Sequence, residues 1–189
     1  MSQTTKRALA ASLKKLLAEK PLDKITVTDV AEDCGVNRQT FYYHFQDIYD
    51  LVEWIFLTDA QAVVGEDRTA DTWQRGYLRV FDYLRENRAL ALNAYRSVSR
   101  RELERFLHQV SFELLTGVVE ECAQGLSLRD EDKAFTANFY KYGLTGLVLD
   151  WLDGGMRGDP ETLVAELGRL LRGNIRGGLE RLARGNGRE

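Results

Sequence analysis

Residues 26–45 read TVTDVAEDCGVNRQTFYYHF: a helix, a tight turn at Gly35 and Val36, and a second short helix opening at Asn37. In the first helix Val30, Ala31 and Cys34 stand at i, i+1 and i+4, which makes one apolar stripe. Ala31 is small, so another helix can cross close above it. Thr26, with Asp29 three residues on, forms a capping pair for the helix start. Gly35 follows the helix directly, where a left-handed backbone costs glycine least, and Val36 plugs the corner. Asn37 is a good N-cap for the next helix, to which Phe41 and Phe45 give an inward edge.

The outward edge of that short helix carries different chemistry. Arg38, Gln39, Tyr42 and Tyr43 form a second stripe, because 38/42 and 39/43 are i,i+4 pairs and 39/42 is i,i+3. A guanidinium, an amide and two phenols can donate to base edges and phosphates or lie against thymine methyl groups. One packed edge and one polar, aromatic edge make a poor core helix and a good major-groove reader. The plainer alternative is a helical hairpin packed for structure alone.

These residues carry a resemblance to the N-terminal DNA-binding domain of the TetR/AcrR transcriptional regulators. The matching positions are Thr26, Val30, Ala31, Gly35, Val36, Tyr42, His44 and Phe45, and the likeness runs unbroken to Leu51. It implies an all-α fold. A three-helix helix-turn-helix domain would occupy residues 1–46, and a larger helical ligand-binding and dimerisation domain residues 47–189. It implies a homodimer on a palindromic operator in double-stranded DNA, with affinity controlled at the larger domain by a small-molecule effector or a regulatory partner protein. Carried over position by position, Thr26, Thr40, Tyr42 and His44 would hold phosphates, and Thr28, Arg38, Gln39 and Tyr43 would meet bases. One position departs: the family usually has a phosphate-contacting lysine three residues after the final Phe, and here Ile48 stands there. Within the family, residues 40–56, TFYYHFQDIYDLVEWIF, resemble the subgroup that activates dihydroxyacetone-kinase operons, in which a partner protein related to the kinase subunit delivers the signal.

Composition narrows the other classes. The 189 residues suffice for one domain or a small one joined to a larger one, and 44% hydrophobic with 29% charged residues is globular composition. Two prolines favour long helices. A net charge of −3 is not that of a protein that coats nucleic acid, although a local basic patch suffices for specific binding. Before the hairpin, Lys6, Arg7, Lys14, Lys15, Lys20 and Lys24 outnumber Glu19 and Asp23, either as such a patch or as ordinary surface cations. Cys34 and Cys122 lie far apart in apolar patterns, which predicts buried, reduced thiols. With only His44 and His108 and no clustered ligand spacing, no metal site is expected. No cofactor is expected either, and without paired carboxylates, a nucleophile motif or a phosphate-cradling loop the chain is not expected to be an enzyme. No signal peptide or membrane span is expected, which places the protein in the cytoplasm. A helical protein-interaction adaptor, signalling through a partner protein, is the alternative to the regulator.

Along the chain, residues 5–19 predict a first helix carrying Leu9, Leu13, Leu16 and Leu17. Lys20-Pro21 ends it, and Ile25 tucks under the hairpin. Asp47 caps a fourth helix with Leu51, Trp54 and Ile55 on one face. A polar break over 65–71 precedes a helix over 73–85 with Tyr77, Phe81 and Leu84 inward, then a short one over 89–95. Ser99 and Glu102 read as a capping box for a long helix ending before Gly125. A further helix spans 129–152 and stops at Gly154-Gly155. Asp159 and Pro160 start a last helix towards Arg184, and the end, GNGRE, should fray. Gly143 and Gly146 lie inside the apolar run 142–152, where close approach of another backbone would offset their weak helix propensity. That run, with Leu163, Leu167, Leu170, Leu171 and Ile175, is the expected dimer face, or else completes a monomer core. Trp54, Phe81, Tyr95, Phe112, Phe139 and Tyr142 line an effector pocket or simply fill the core. Arg96, Arg100 and Arg101 would serve an anionic effector or remain solvated.

Overall fold

In the computed structural model, which describes residues 2–97 and 99–186, ten α-helices and one 3-10 turn appear and no strand among the described residues. The expectation of an all-α chain holds. Of the end expected to fray, residues 185–189, Gly185 and Asn186 instead close the last helix, and 187–189 lie outside the described residues. The helices group into two compact units, Met1–Asp59 with Leu84–Phe106, and Ala60–Tyr83 with Leu107–Glu189.

The first unit begins with α1 (Ser2–Leu16), a 3-10 turn (Leu22–Lys24), α2 (Val27–Cys34) and α3 (Arg38–His44). Leu9, Leu13 and Leu17 of the first segment are buried, whereas Leu16 is only half-buried. Together with Ile25, Val30, Ala31, Phe41 and Phe45 they make a core on which α1 packs against α2 and α3. Asp47 caps α4 (Ile48–Val64): its carboxylate accepts from the Asp50 N–H at 2.9 Å, and Asp50 in turn accepts from Gln46 at 2.8 Å. Leu51 and Ile55 of α4 are buried as expected, joined by Val52 and Phe56, but Trp54 is half-buried and turns towards Phe45. The compact unit extends beyond the hairpin. It takes in α6 (Arg88–Tyr95), whose Asn93 amide oxygen accepts from the Leu22 N–H at 3.0 Å, and Phe106, which packs on Phe56.

The second unit contains most of α5 (Trp73–Glu86), most of α7 (Arg100–Ala123), α8 (Asp130–Asp153), α9 (Pro160–Leu171) and α10 (Asn174–Asn186). Tyr77 and Phe81 are fully buried with Leu114, Val148 and Leu152, and the Tyr77 hydroxyl donates to the Leu144 carbonyl at 2.7 Å. That burial pushes the phenol's pKa up. The polar break before α5 is strapped down. Asp67 is buried and accepts from Arg75 at 2.7 Å and from Arg79, while Glu121 accepts from the Ala70 N–H at 2.7 Å. A Cβ on Gly76 would meet the Asp67 carbonyl at 2.5 Å, so the strap needs glycine there.

Three expectations are corrected. The final helix is two helices, because Gly173 adopts a φ of +74° and turns the chain, leaving Ile175 buried rather than on an outer face. The Ser99 hydroxyl is buried and meets no hydrogen-bond partner among the described residues, so no capping box forms there. Cys34 and Cys122 are free, as expected, but half-buried rather than buried. Among the described residues no helix is long and apolar enough to cross a membrane.

Candidate nucleic-acid interface

Local hydrogen bonds build the hairpin. Thr26 closes a capping box: its hydroxyl oxygen accepts from the Asp29 N–H at 3.2 Å, and the Asp29 carboxylate accepts from the Thr26 N–H at 2.7 Å. The Thr26 hydroxyl donates to the same carboxylate at 2.8 Å, and the Lys20 ammonium stands 2.9 Å away. The Thr26 N–H first, then Lys20 and the Thr26 hydroxyl, lower the Asp29 pKa to about 2. At the other end of α2, Gly35 takes a φ of +70° and the Val36 N–H reaches back to the Ala31 carbonyl at 2.9 Å, a left-handed helix stop. Asn37 then caps α3, accepting from the Thr40 N–H at 2.8 Å and from its hydroxyl at 3.0 Å.

The inner edge of α3 is anchored by aromatics. Phe41 and Phe45 are buried with ring centroids 5.8 Å apart, and Phe45 meets Trp54 edge-on at 5.9 Å. Lys6 holds its ammonium 5.2 Å from the Phe45 ring and 5.8 Å from Trp54, tying α1 to this corner by cation–π attraction. In the sequence Lys6 reads only as part of a basic patch or surface, because nothing in its spacing signals two rings lying 39 and 48 residues further on.

The outer edge is open to solvent. Arg38 and Gln39 are exposed, and Tyr42 and Tyr43 are 52% and 83% exposed. Arg38 has no ion pair among the described residues. The edge thus presents one unpaired guanidinium, one amide and two phenols on a helix narrow enough for a major groove. Thr28 and His44 flank it, both half-buried, with His44 edge-on to Tyr43 at 4.9 Å. Thr26 and Thr40 differ from the other candidates: the backbone and side-chain donors of both are already engaged in caps.

The surrounding charge is more neutral than the count of N-terminal cations. Lys14 pairs with Asp59 at 3.1 Å, Lys15 with Asp33, and Lys20 with Asp29. Arg7 and Arg38 remain exposed without such a partner among the described residues. Ile48 is buried, and its apolar side chain supplies no charge where the family's lysine would stand.

The six candidate pocket aromatics occupy several environments. Trp54 packs on Phe45, and Tyr95 lies half-buried under the Arg100 guanidinium at 4.5 Å. Phe81 is buried between Tyr77 and Trp151, at 5.2 and 5.1 Å. Phe112 lines a small cavity of about 130 Å³ with Thr116, Lys133 and Ala137. Phe139 and Tyr142 point outward from α8, 65% and 62% exposed. Of the three arginines, Arg100 is held by Glu104 at 2.8 Å, and Arg96 and Arg101 are exposed.

A helical hairpin with a solvated outer edge, followed by a larger helical unit, is the architecture of a class of transcriptional regulators. Residues 4–55 match the family described as bacterial regulatory proteins, tetR family, and residues 71–173 match a transcriptional regulator C-terminal region. The chain belongs to the TetR family and is a transcriptional regulator of that family. Among curated proteins it is 31% identical over 83 residues to the HTH-type dhaKLM operon transcriptional activator DhaS of Lactococcus lactis; that match spans 44% of each chain, less than half of the relative's length. Among solved structures, the dihydroxyacetone kinase operon activator DhaS superposes with a TM-score of 0.72 at 24% identity, covering 91% of this chain and 96% of that one. The regulator FadR of Bacillus subtilis, solved with stearoyl-CoA, superposes with a TM-score of 0.62 at 19% identity over 87% of this chain and 96% of its own. Both structural likenesses concern the fold.

Proposed function

We propose that this regulator binds a near-palindromic operator as a homodimer, with residues 1–46 as the reading domain and residues 47–189 as the regulatory and dimerisation domain, in the cytoplasm. The observation that carries the reading is the solvated edge of α3, where Arg38, Gln39, Tyr42 and Tyr43 stand free of the protein that anchors Phe41 and Phe45. On this reading Arg38, Gln39, Tyr43 and Thr28 meet bases, and Tyr42 and His44 hold phosphates. Thr26 and Thr40 reach phosphates only by exchanging a capping hydrogen bond for one to DNA.

The second copy is recruited through α8 and α9. Phe135, Phe139 and Tyr142 recur at helical spacing, 66%, 65% and 62% exposed, and Leu170 of α9 is 68% exposed. A Cβ at Gly143 or Gly146 would meet nothing within 4 Å, so this chain supplies no close neighbour for either glycine, and a symmetry mate would. Two copies are also what two half-sites about 34 Å apart require.

The test is a footprint with purified protein. A two-fold symmetric protected site is expected, and Arg38→Ala should weaken it by about 1–3 kcal/mol with relaxed specificity at one base pair. Unchanged affinity and specificity in that variant would remove α3 as the reader. Likeness to DhaS in both sequence and fold favours a second reading of the control step, in which a regulatory partner protein rather than a small molecule acts on residues 47–189. Retention of such a partner on immobilised protein, with release or tightening of operator DNA, distinguishes it.

A further inference from the structure

A cavity of about 440 Å³ opens in the second unit, walled by the start of α5, the last turns of α7 and the junction of α9 with α10. That size suits a small ligand. Its floor is apolar: Trp73, Val118 and Ile175 are all buried and all line it. Two glycines keep it open. Gly173, at a φ of +74°, breaks the chain between α9 and α10, and Gly168 lacks the Cβ that would collide with the Gln74 amide.

The polar groups around this floor are unevenly satisfied. Arg176 is held through Nε and Nη1, donating at 2.7 Å to the carbonyls of Cys122 and Gln124 and at 3.0 Å to Glu180. Asp71 and Arg172, by contrast, are exposed on the rim, and neither has a hydrogen bond or ion pair among the described residues, including with the other. A simple carboxylate entering here would meet Asp71, and a simple amine would meet Arg172. A head group carrying both charges would offer each of them a charge-assisted hydrogen bond.

We propose that this cavity binds an apolar α-amino acid, its carboxylate on Arg172, its ammonium on Asp71, and its side chain against Trp73, Val118 and Ile175. This names a site and an effector class for the regulator reading, and rests on it only for what occupancy does to DNA; the binding step stands by itself.

Cys122 lines the same cavity and reports on it. Burial pushes its thiol pKa up, so alkylation by iodoacetamide is followed at alkaline pH, with Cys34 as the control in the other unit. Full-length protein is alkylated with and without millimolar L-leucine, L-phenylalanine or L-methionine. At least one should slow modification of Cys122 while Cys34 reacts as before. Its N-acetyl and decarboxylated analogues, each missing one charge, should bind about tenfold or more weakly. Arg172→Ala and Asp71→Asn, both at exposed positions, should lose protection at unchanged melting temperature. No protection by any of the three amino acids, equal protection by the analogues, or full protection in both variants overturns the proposal. A footprint on the same preparation separates the two readings: operator binding without amino-acid protection refutes the cavity alone, and protection without operator binding refutes the reader alone.

Discussion

Thr26 and Asp29 hold the start of α2 through three mutual hydrogen bonds, and Lys20 holds Asp29 from outside. Thr26→Ala removes the cap acceptor and should lower stability by about 0.5–2 kcal/mol in urea unfolding, with Thr26→Ser recovering most of it. The Asp29 carboxyl is held at about 2 by its partners, below the usual range near 4. Its stabilisation is therefore complete above about pH 4 and is lost as pH falls from there through about 2. Urea midpoints measured across that window should drop for the native chain, and the part due to this carboxyl should vanish in Asp29→Asn. On the proposed reading capping and phosphate contact compete, since Thr26 and Thr40 have no spare donor while the helices are capped.

Among the elements, the turn between α2 and α3 depends on one backbone conformation. A Cβ at Gly35 meets nothing within 4 Å, so Gly35→Ala tests backbone strain alone. It should cost about 1–2 kcal/mol by thermal unfolding, and Gly35→Asn distinctly less, because asparagine tolerates the left-handed region. This hairpin was legible in the sequence because each of its signals is local: Thr26 with Asp29, Gly35 after the stripe, Asn37 before Phe41. The break between α9 and α10 was not. Leu163, Leu167, Leu170, Leu171 and Ile175 keep helical spacing through Gly173, so the apolar period continues where the backbone does not. Long-range support was equally invisible. The Asn93 amide that receives the Leu22 N–H lies 71 residues away, and no spacing rule links the two. For the candidate site, helical periodicity alone placed Arg38, Gln39, Tyr42 and Tyr43 on one edge, but not which threonine donors were free.

For the whole molecule, the proposed dimer is what substitutions in α8 test. Gly143→Ala should make α8 intrinsically more helical by about 1 kcal/mol, yet on the dimer reading it holds a second backbone away and weakens association. Phe139→Asp, at a site 65% exposed in one chain, should give folded single subunits with unchanged helical content in sedimentation. If both variants sediment as the parent does, α8 is not the contact. The two units also divide the chain unequally in sequence order, since the first resumes at Leu84 after a 24-residue excursion into the second, residues 60–83.

Tyr42 and Tyr43 carry a thermodynamic signature of their own. Two phenol rings left largely in water retain ordered hydration that a nucleic-acid surface would strip away. Operator titrations repeated at several temperatures should therefore become steadily more exothermic on warming, a negative heat-capacity change that Tyr43→Ala, starting from 83% exposure, should visibly diminish.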